Sequence, residues 1–140
     1  MIATVKVFAL VYPTEVQEKV KTAVMNLIPV KLLLQDFGMP GLYGKGNLES
    51  LRKLHQLLRE HLILDTARQV FMNGIEGNSI HFKVNKQVAY MGKVNFPAGE
   101  ESLGSIRVEI SAENEEALIK IIDWLSPRTV GGKPVEEIEL

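Results

Sequence analysis

Along this chain the spacing of apolar residues changes repeatedly, from every second residue to about every 3.6 and back, and that change limits the fold more than any single motif. Period two marks a strand and period 3.6 a helix, so strands must alternate with helices. "TVKVFALVY" is apolar on both faces apart from Lys6, which predicts a central strand covered on both sides. After Pro13, Thr14 and Gln17 have the spacing of a capping box. Val16, Val20, Ala23, Val24 and Leu27 then form a helical stripe that Pro29 ends. "VKLLLQDF" reads as a second strand, "GMPGLYGKGN" as a loop, and Asn47 as the cap of a helix with Leu51, Leu54, Leu58 and Leu62 on one side. Asp65 suits the N-cap of a short helix burying Ala67 and Phe71, with Gly74 as its stop.

The second half repeats the alternation. In "SIHFKV" Ile80, Phe82 and Val84 point one way and His81 and Lys83 the other. "NKQVAYMG" predicts one or two helical turns from an Asn85 cap to a Gly92 stop, and "KVNF" resumes as strand. "SIRVEIS" sets Ile106, Val108 and Ile110 against Arg107 and Glu109. Ser111 is placed to cap a last helix with Leu118, Ile121, Ile122 and Leu125 inward, and Pro127 lies past its end. "PAGEES" reads as an exposed loop and residues 134–140 as a loose tail, leaving one domain over residues 1–140.

Little of this chain suits catalysis. Without cysteine there is no thiolate nucleophile and no zinc-thiolate site, and the lack favours a reducing cytoplasm. His55 and His61 lie six residues apart on one helix and cannot converge on a metal, and His81 stands on another element. Ser50, Ser79, Ser102 and Ser126 lack the sharp turn of a nucleophile elbow and read as caps or turn hydroxyls. The glycine-rich loop with Lys45 fails as a Walker A motif: Met39 stands where the first Gly is needed and Gly46 where Ser or Thr is. Neither a catalytic residue, a metal site nor a cofactor is expected, and no apolar run reaches membrane-spanning length.

Charge is uneven. Residues 45–96 carry eight basic and four acidic residues, whereas residues 97–140 carry four basic and ten acidic ones. Such a division either presents an electropositive face or is neutralised where the two regions pack together. If Ile80, Phe82 and Val84 face the core, His81 and Lys83 stand on the opposite face, with Lys86 and Lys93 soon after, and lysines so placed can position phosphates. Tyr90 reads as a core aromatic. Arg68, at the edge of a buried face, reads as mainly structural, with Asp65 or Glu76 as its partner.

Taken together, "VYPTE", "ILDTAR", "GIEGNSIHFKVNKQVAYMGKVNF" and "DWLSPRTVGGKPV" resemble the recurring blocks of a small archaeal protein family described as RNA-binding or as a predicted exosome subunit. Ser126 and Gly131 stand where that family's pattern has Ala and Asp, while Arg128 and Lys133 are kept. The resemblance implies a single α+β domain with a mixed, mostly antiparallel sheet and helices packed on it, similar to the large-subunit ribosomal protein that binds 5S rRNA. It also implies a homodimer in the archaeal cytoplasm, with structured RNA, ribosomal RNA included, as partner. The matching positions Asp65, Arg68, Asn78, Asn85, Lys86, Gln87, Lys93, Asn95 and Arg128 are candidates through it. The expected RNA contacts are Lys45, Arg68, His81, Lys83, Lys86, Lys93, Asn95, Arg128 and Lys133. The competing expectations are an enzyme using Asp65, Arg68 and Asn78, and a protein-interaction subunit of an RNA-processing complex.

Overall fold

The alternation of "SIHFKV" and "SIRVEIS" becomes two neighbouring strands that bury one face and leave the other open. In the computed structural model, which describes residues 1–36, 38–99 and 104–140, these are β5 (Ser79–Asn85) and β6 (Ser105–Ala112). They belong to a six-stranded sheet with β1 (Ala3–Leu10), β2 (Leu32–Asp36), β3 (Pro40–Gly46) and β4 (Ile75–Glu76), in the order β2-β3-β1-β6-β5-β4. Every strand pairing among the described residues is antiparallel. Helices α1 (Gln17–Leu27), α2 (Arg52–Glu60), α3 (Leu64–Asn73) and α5 (Glu115–Leu125) supply the cover for one face, and the short α4 (Lys86–Tyr90) packs on α1. The fold is a single α+β domain. Its core joins Val5, Val7, Ile80, Val84, Ile106 and Ile110 of the sheet to Leu54, Leu58, Phe71, Leu118, Ile121 and Ile122 of the helices.

The central strand departs from expectation. Val5, Val7 and Ala9 of β1 are buried, but Lys6 is exposed and Phe8 and Leu10 are only half-buried, because no described helix covers their side of the sheet. "GMPGLYGKGN" is not a loop, since most of it is strand β3. Its glycines answer to neighbours elsewhere in the chain: a Cβ at Gly44 would meet Val30 Cγ2 at 2.5 Å and Leu32 Cδ2 at 2.8 Å. Glycine here makes room for side chains in and just before β2 and does not bend the chain.

Caps divide by how local they are. Asn47 accepts from Glu49 N–H and exchanges a capping box with Ser50, and Asn85 accepts from Val88 N–H, both as the spacing suggests. The Thr14–Gln17 box does not form, because α1 begins at Gln17 after Val16 and Glu15 turns back to Tyr12 N–H. Asp65 lies inside the first turn of α3, after an Ile63 cap, and accepts from the Thr129 hydroxyl. Asn114, not Ser111, caps α5, since Ser111 is still in β6. Leu62 is exposed with φ +55, beyond the end of α2 and outside its stripe.

The C-terminal segment is anchored. "TVGGKP" forms a small ribbon of β7 (Thr129–Val130) and β8 (Lys133–Pro134) that the sequence reading did not anticipate. Residues 134–140, expected as a loose tail, are tied down: Glu137 takes two hydrogen bonds from Arg59, at 2.8 and 2.6 Å, and Ile138 and Leu140 pack on the core. The same guanidinium caps α5 by donating to the Trp124 and Leu125 carbonyls. Arg59 holds the Glu137 carboxyl below the usual carboxylate range, and burial beside the Trp124 ring pushes His55 down. Glu100, Glu101 and Ser102 of the expected "PAGEES" loop, and Phe37, lie outside the described residues.

Candidate nucleic-acid interface

Antiparallel register sets the open-face side chains in rows across the sheet. One row reads Leu33, Tyr43, Phe8, Arg107 and Lys83, from β2 through β3, β1 and β6 to β5. The next reads Lys45, Lys6, Glu109 and His81. With about 4.8 Å between strands, the first row spans roughly 19 Å. The rows enclose a shallow concavity of about 600 Å³ lined by Lys6, Phe8, Tyr43, His81, Lys83 and Arg107.

Among the described residues, charges of both signs stand on this surface. Glu109 Oε2 lies 3.9 Å from Lys6 Nζ, and His81 Nε2 lies 3.6 Å from Glu109 Oε1 and 3.7 Å from Glu76 Oε2. Lys45 and Arg107 are exposed and have no ion-pair partner among the described residues. Among the described residues, middle-segment cations meet C-terminal acids in the helix layer as Arg59–Glu137 and Arg68–Asp123. These two pairs are the neutralisation that the uneven charge allowed for.

The expected contact residues do not all converge here. Lys45, His81 and Lys83 share the open face. Lys86 does not reach a surface, since its side chain is 4% exposed and Nζ donates to Leu10 O at 2.8 Å and Glu15 Oε1 at 2.9 Å. A desolvated ammonium needs such a partner, and Glu15, 71 residues away, is invisible to any local spacing. Asn85 N–H donates to Asn95 O at 2.8 Å, bringing the exposed Lys93 and Asn95, with the buried Val94 between them, to the end of β5, without "KVNF" forming a strand. Arg128 and Lys133 are exposed in and beside the β7–β8 ribbon, where Thr129 bonds to α3. Gln87 is exposed, as is Tyr90, so Tyr90 is not a core aromatic.

Arg68 is 15% exposed and donates to Asp123 Oδ1 at 2.8 Å and Ser126 O at 3.0 Å. This pairing fits the structural reading, but the partner is Asp123 of α5, not Asp65 or Glu76. Arg68→Ala is expected to lower stability by about 1–3 kcal/mol, by leaving those acceptors unpaired, with RNA affinity unchanged. Urea melts alongside RNA titrations check it, and an intact melt with lost affinity reverses the assignment. Asp65, Arg68 and Asn78 do not assemble into a pocket. Asp65 is held by Thr129, Arg68 by Asp123, and Asn78 donates to Ala112 O at 2.6 Å on the end of β6.

Four residues of the open face were not expected as a site: Lys6, Phe8, Tyr43 and Arg107. Lys6 carried a usable signal, since a charge inside an apolar strand requires one face to be wet. Arg107 alternates with the buried residues of β6, as His81 and Lys83 do with those of β5.

Comparison with known proteins places the chain. A family model described as RNA binding matches residues 4–112. A UPF0201 protein of Methanopyrus kandleri is 41% identical over 99% of this chain and 94% of its own. The chain belongs to this archaeal RNA-binding family. Another member, the UPF0201 protein of Pyrococcus abyssi, is 46% identical over 97% of this chain and 98% of its own. The solved UPF0201 structure from Methanococcus jannaschii superposes with a TM-score of 0.86 at 40% identity, covering 95% of this chain and 99% of that one. The family match runs from β1 to the end of β6 and so contains every strand of the six-stranded sheet. No described helix is long and apolar enough to cross a membrane.

Proposed function

We propose that this protein is a non-enzymatic RNA-binding protein that holds the RNA backbone on the open face of its sheet, through Lys6, Lys45, Lys83 and Arg107. The observation that carries the reading is a sheet with one face left uncovered and cations from four adjacent strands on it, in a chain of an RNA-binding family. Contact with phosphates needs flexible cations at the surface and little further geometry. Lys86 and Arg68 take no part, being held inside the fold, and Arg128 and Lys133 stand outside this surface. Lys93 and Asn95 extend it at the β5 end. Homodimerisation, a cytoplasmic setting and association with an RNA-processing complex complete the reading, and light scattering and copurification from native cells test them.

Titrating a structured RNA at several salt concentrations tests the central claim. Three or four phosphate contacts give a slope of log affinity against log salt of about −3. The double variant Lys45→Glu, Arg107→Glu should flatten that slope by about 2 and leave the melting temperature nearly unchanged, because both side chains are exposed. Absence of binding at low salt, or a variant that binds as the parent does, refutes the proposal.

A further inference from the structure

We infer that the open face takes unpaired RNA bases, with Phe8 and Tyr43 as the stacking positions and Lys6, Lys45 and Arg107 holding the flanking phosphates. This rests on the RNA-binding reading above and narrows its ligand to single-stranded segments, such as the loops of a structured RNA. The row that carries it is divided: Leu33, Tyr43 and Phe8 make its apolar half, Arg107 and Lys83 its cationic half. Phosphate contact alone needs only the second half. Two aromatic side chains directly opposite each other on neighbouring strands, on the side that no described helix covers, are surplus to it.

Gly41 shows how one of these rings is set. A Cβ built there would lie 2.7 Å from Phe8 Cε2 and 3.0 Å from Cζ. The far end of the Phe8 ring therefore leans over β3 and rests on a residue without a side chain, so it does not stand up from the sheet. In this posture it presents ring surface to whatever lies on the sheet. Tyr43, the next side chain along the row, lines the same concavity.

The ligand's chemistry follows from what each form of RNA exposes. A duplex hides its base faces in the stack and offers phosphates and 2′-hydroxyls, so aromatic rings add nothing to its binding. An unpaired strand offers base faces and phosphates together, and an aromatic platform beside a cationic track binds both. Charge complementarity selects a polyanion: among the described residues, Lys6, Lys45, Lys83 and Arg107 outnumber Glu109 and Glu76 on this face.

Fluorescence anisotropy with a labelled unpaired 12-mer, and with a blunt duplex of equal length, tests the inference. The single strand should bind more tightly at equal salt. Tyr43→Ala and Phe8→Leu, the latter keeping apolar cover over Gly41, should each weaken single-strand binding about 5-fold or more. They should leave duplex binding and the salt slope unchanged, whereas Lys45→Glu with Arg107→Glu weakens both ligands. Phe8→Trp should place an indole whose emission is quenched by the single strand only. If the ring variants bind the single strand as the parent does while the charge variant is weakened, the stacking inference fails and the broader RNA reading stands. If the parent binds neither ligand, the broader reading fails. A dimer that Tyr43→Ala dissociates, without loss of RNA affinity, makes this face a contact between two copies of the chain and overturns the inference.

Discussion

Lys86→Ala is expected to lower the unfolding free energy by about 3–5 kcal/mol, the range for removing one partner of a buried ion pair. The ammonium joins three parts of the fold. It donates to the Leu10 carbonyl at the end of β1, pairs with Glu15 before α1, and lies 5.2 Å from the centre of the Tyr12 ring. With Lys86 gone, the Glu15 side chain, 10% exposed, is left with the Tyr12 N–H as its close donor among the described residues. Lys86→Met combined with Glu15→Leu should recover most of the loss, since two apolar side chains of similar volume leave neither charge stranded. Urea midpoints of the parent, single and double variants measure it. A single variant within about 1 kcal/mol of the parent would show the pair to be solvated. The same geometry excludes Lys86 from any charge-reversal test of RNA binding, because Lys86→Glu would set two carboxylates against each other inside the fold.

Gly74→Ala is expected to be of similar severity, about 3 kcal/mol or more, for a different reason. Gly74 ends α3 with φ −92, a conformation open to alanine, so backbone freedom is not at issue. What matters is proximity to β5: Gly74 O accepts from His81 N–H at 2.9 Å, and a Cβ would be driven into the His81 carbonyl oxygen. That obstacle is backbone and cannot swing aside. The variant must separate α3 from β5, the strand bearing His81 and Lys83, so both the thermal midpoint and RNA affinity should fall. Gly77→Ala is the control. Its Cβ would meet nothing within 4 Å, and only its φ of +64 opposes the change, at a cost of about 1 kcal/mol. Equal melting of the two variants would disprove the contact.

What the sequence revealed of this fold follows from how far apart the interacting residues lie. β5 and β6 were legible because burial on one face writes a period of two directly into neighbouring residues. Asn47 and Asn85 were legible because a cap acts within three residues. β1 was misread because Phe8 and Leu10 are apolar on the open face, and apolar residues inside a strand do not tell which side is covered. β3 was misread because the reasons for its glycines, Phe8 over Gly41 and Val30 over Gly44, belong to other segments. The candidate site suffered most: its first row comes from five strands, and only register assembles it. Arg68 and Lys86 turned inward toward Asp123 and Glu15, partners 55 and 71 residues away.

The middle position of β1 has a consequence for how the chain comes off the ribosome. β1 is made before its partners, and β3 becomes available once residue 46 is out. The other long edge of β1 waits for β6, with Ala3 pairing Ala112 and Phe8 pairing Arg107. Until then a nascent chain carries Val5, Val7 and Ala9 without the helix and strand that finish their burial, along an edge whose N–H and C=O groups are unpaired. Closing a sheet across about a hundred residues is slow compared with forming its helices. From β1 until β6 is made, then, the chain is a half-sheet in need of protection from other chains, and the sheet closes only when β6 arrives.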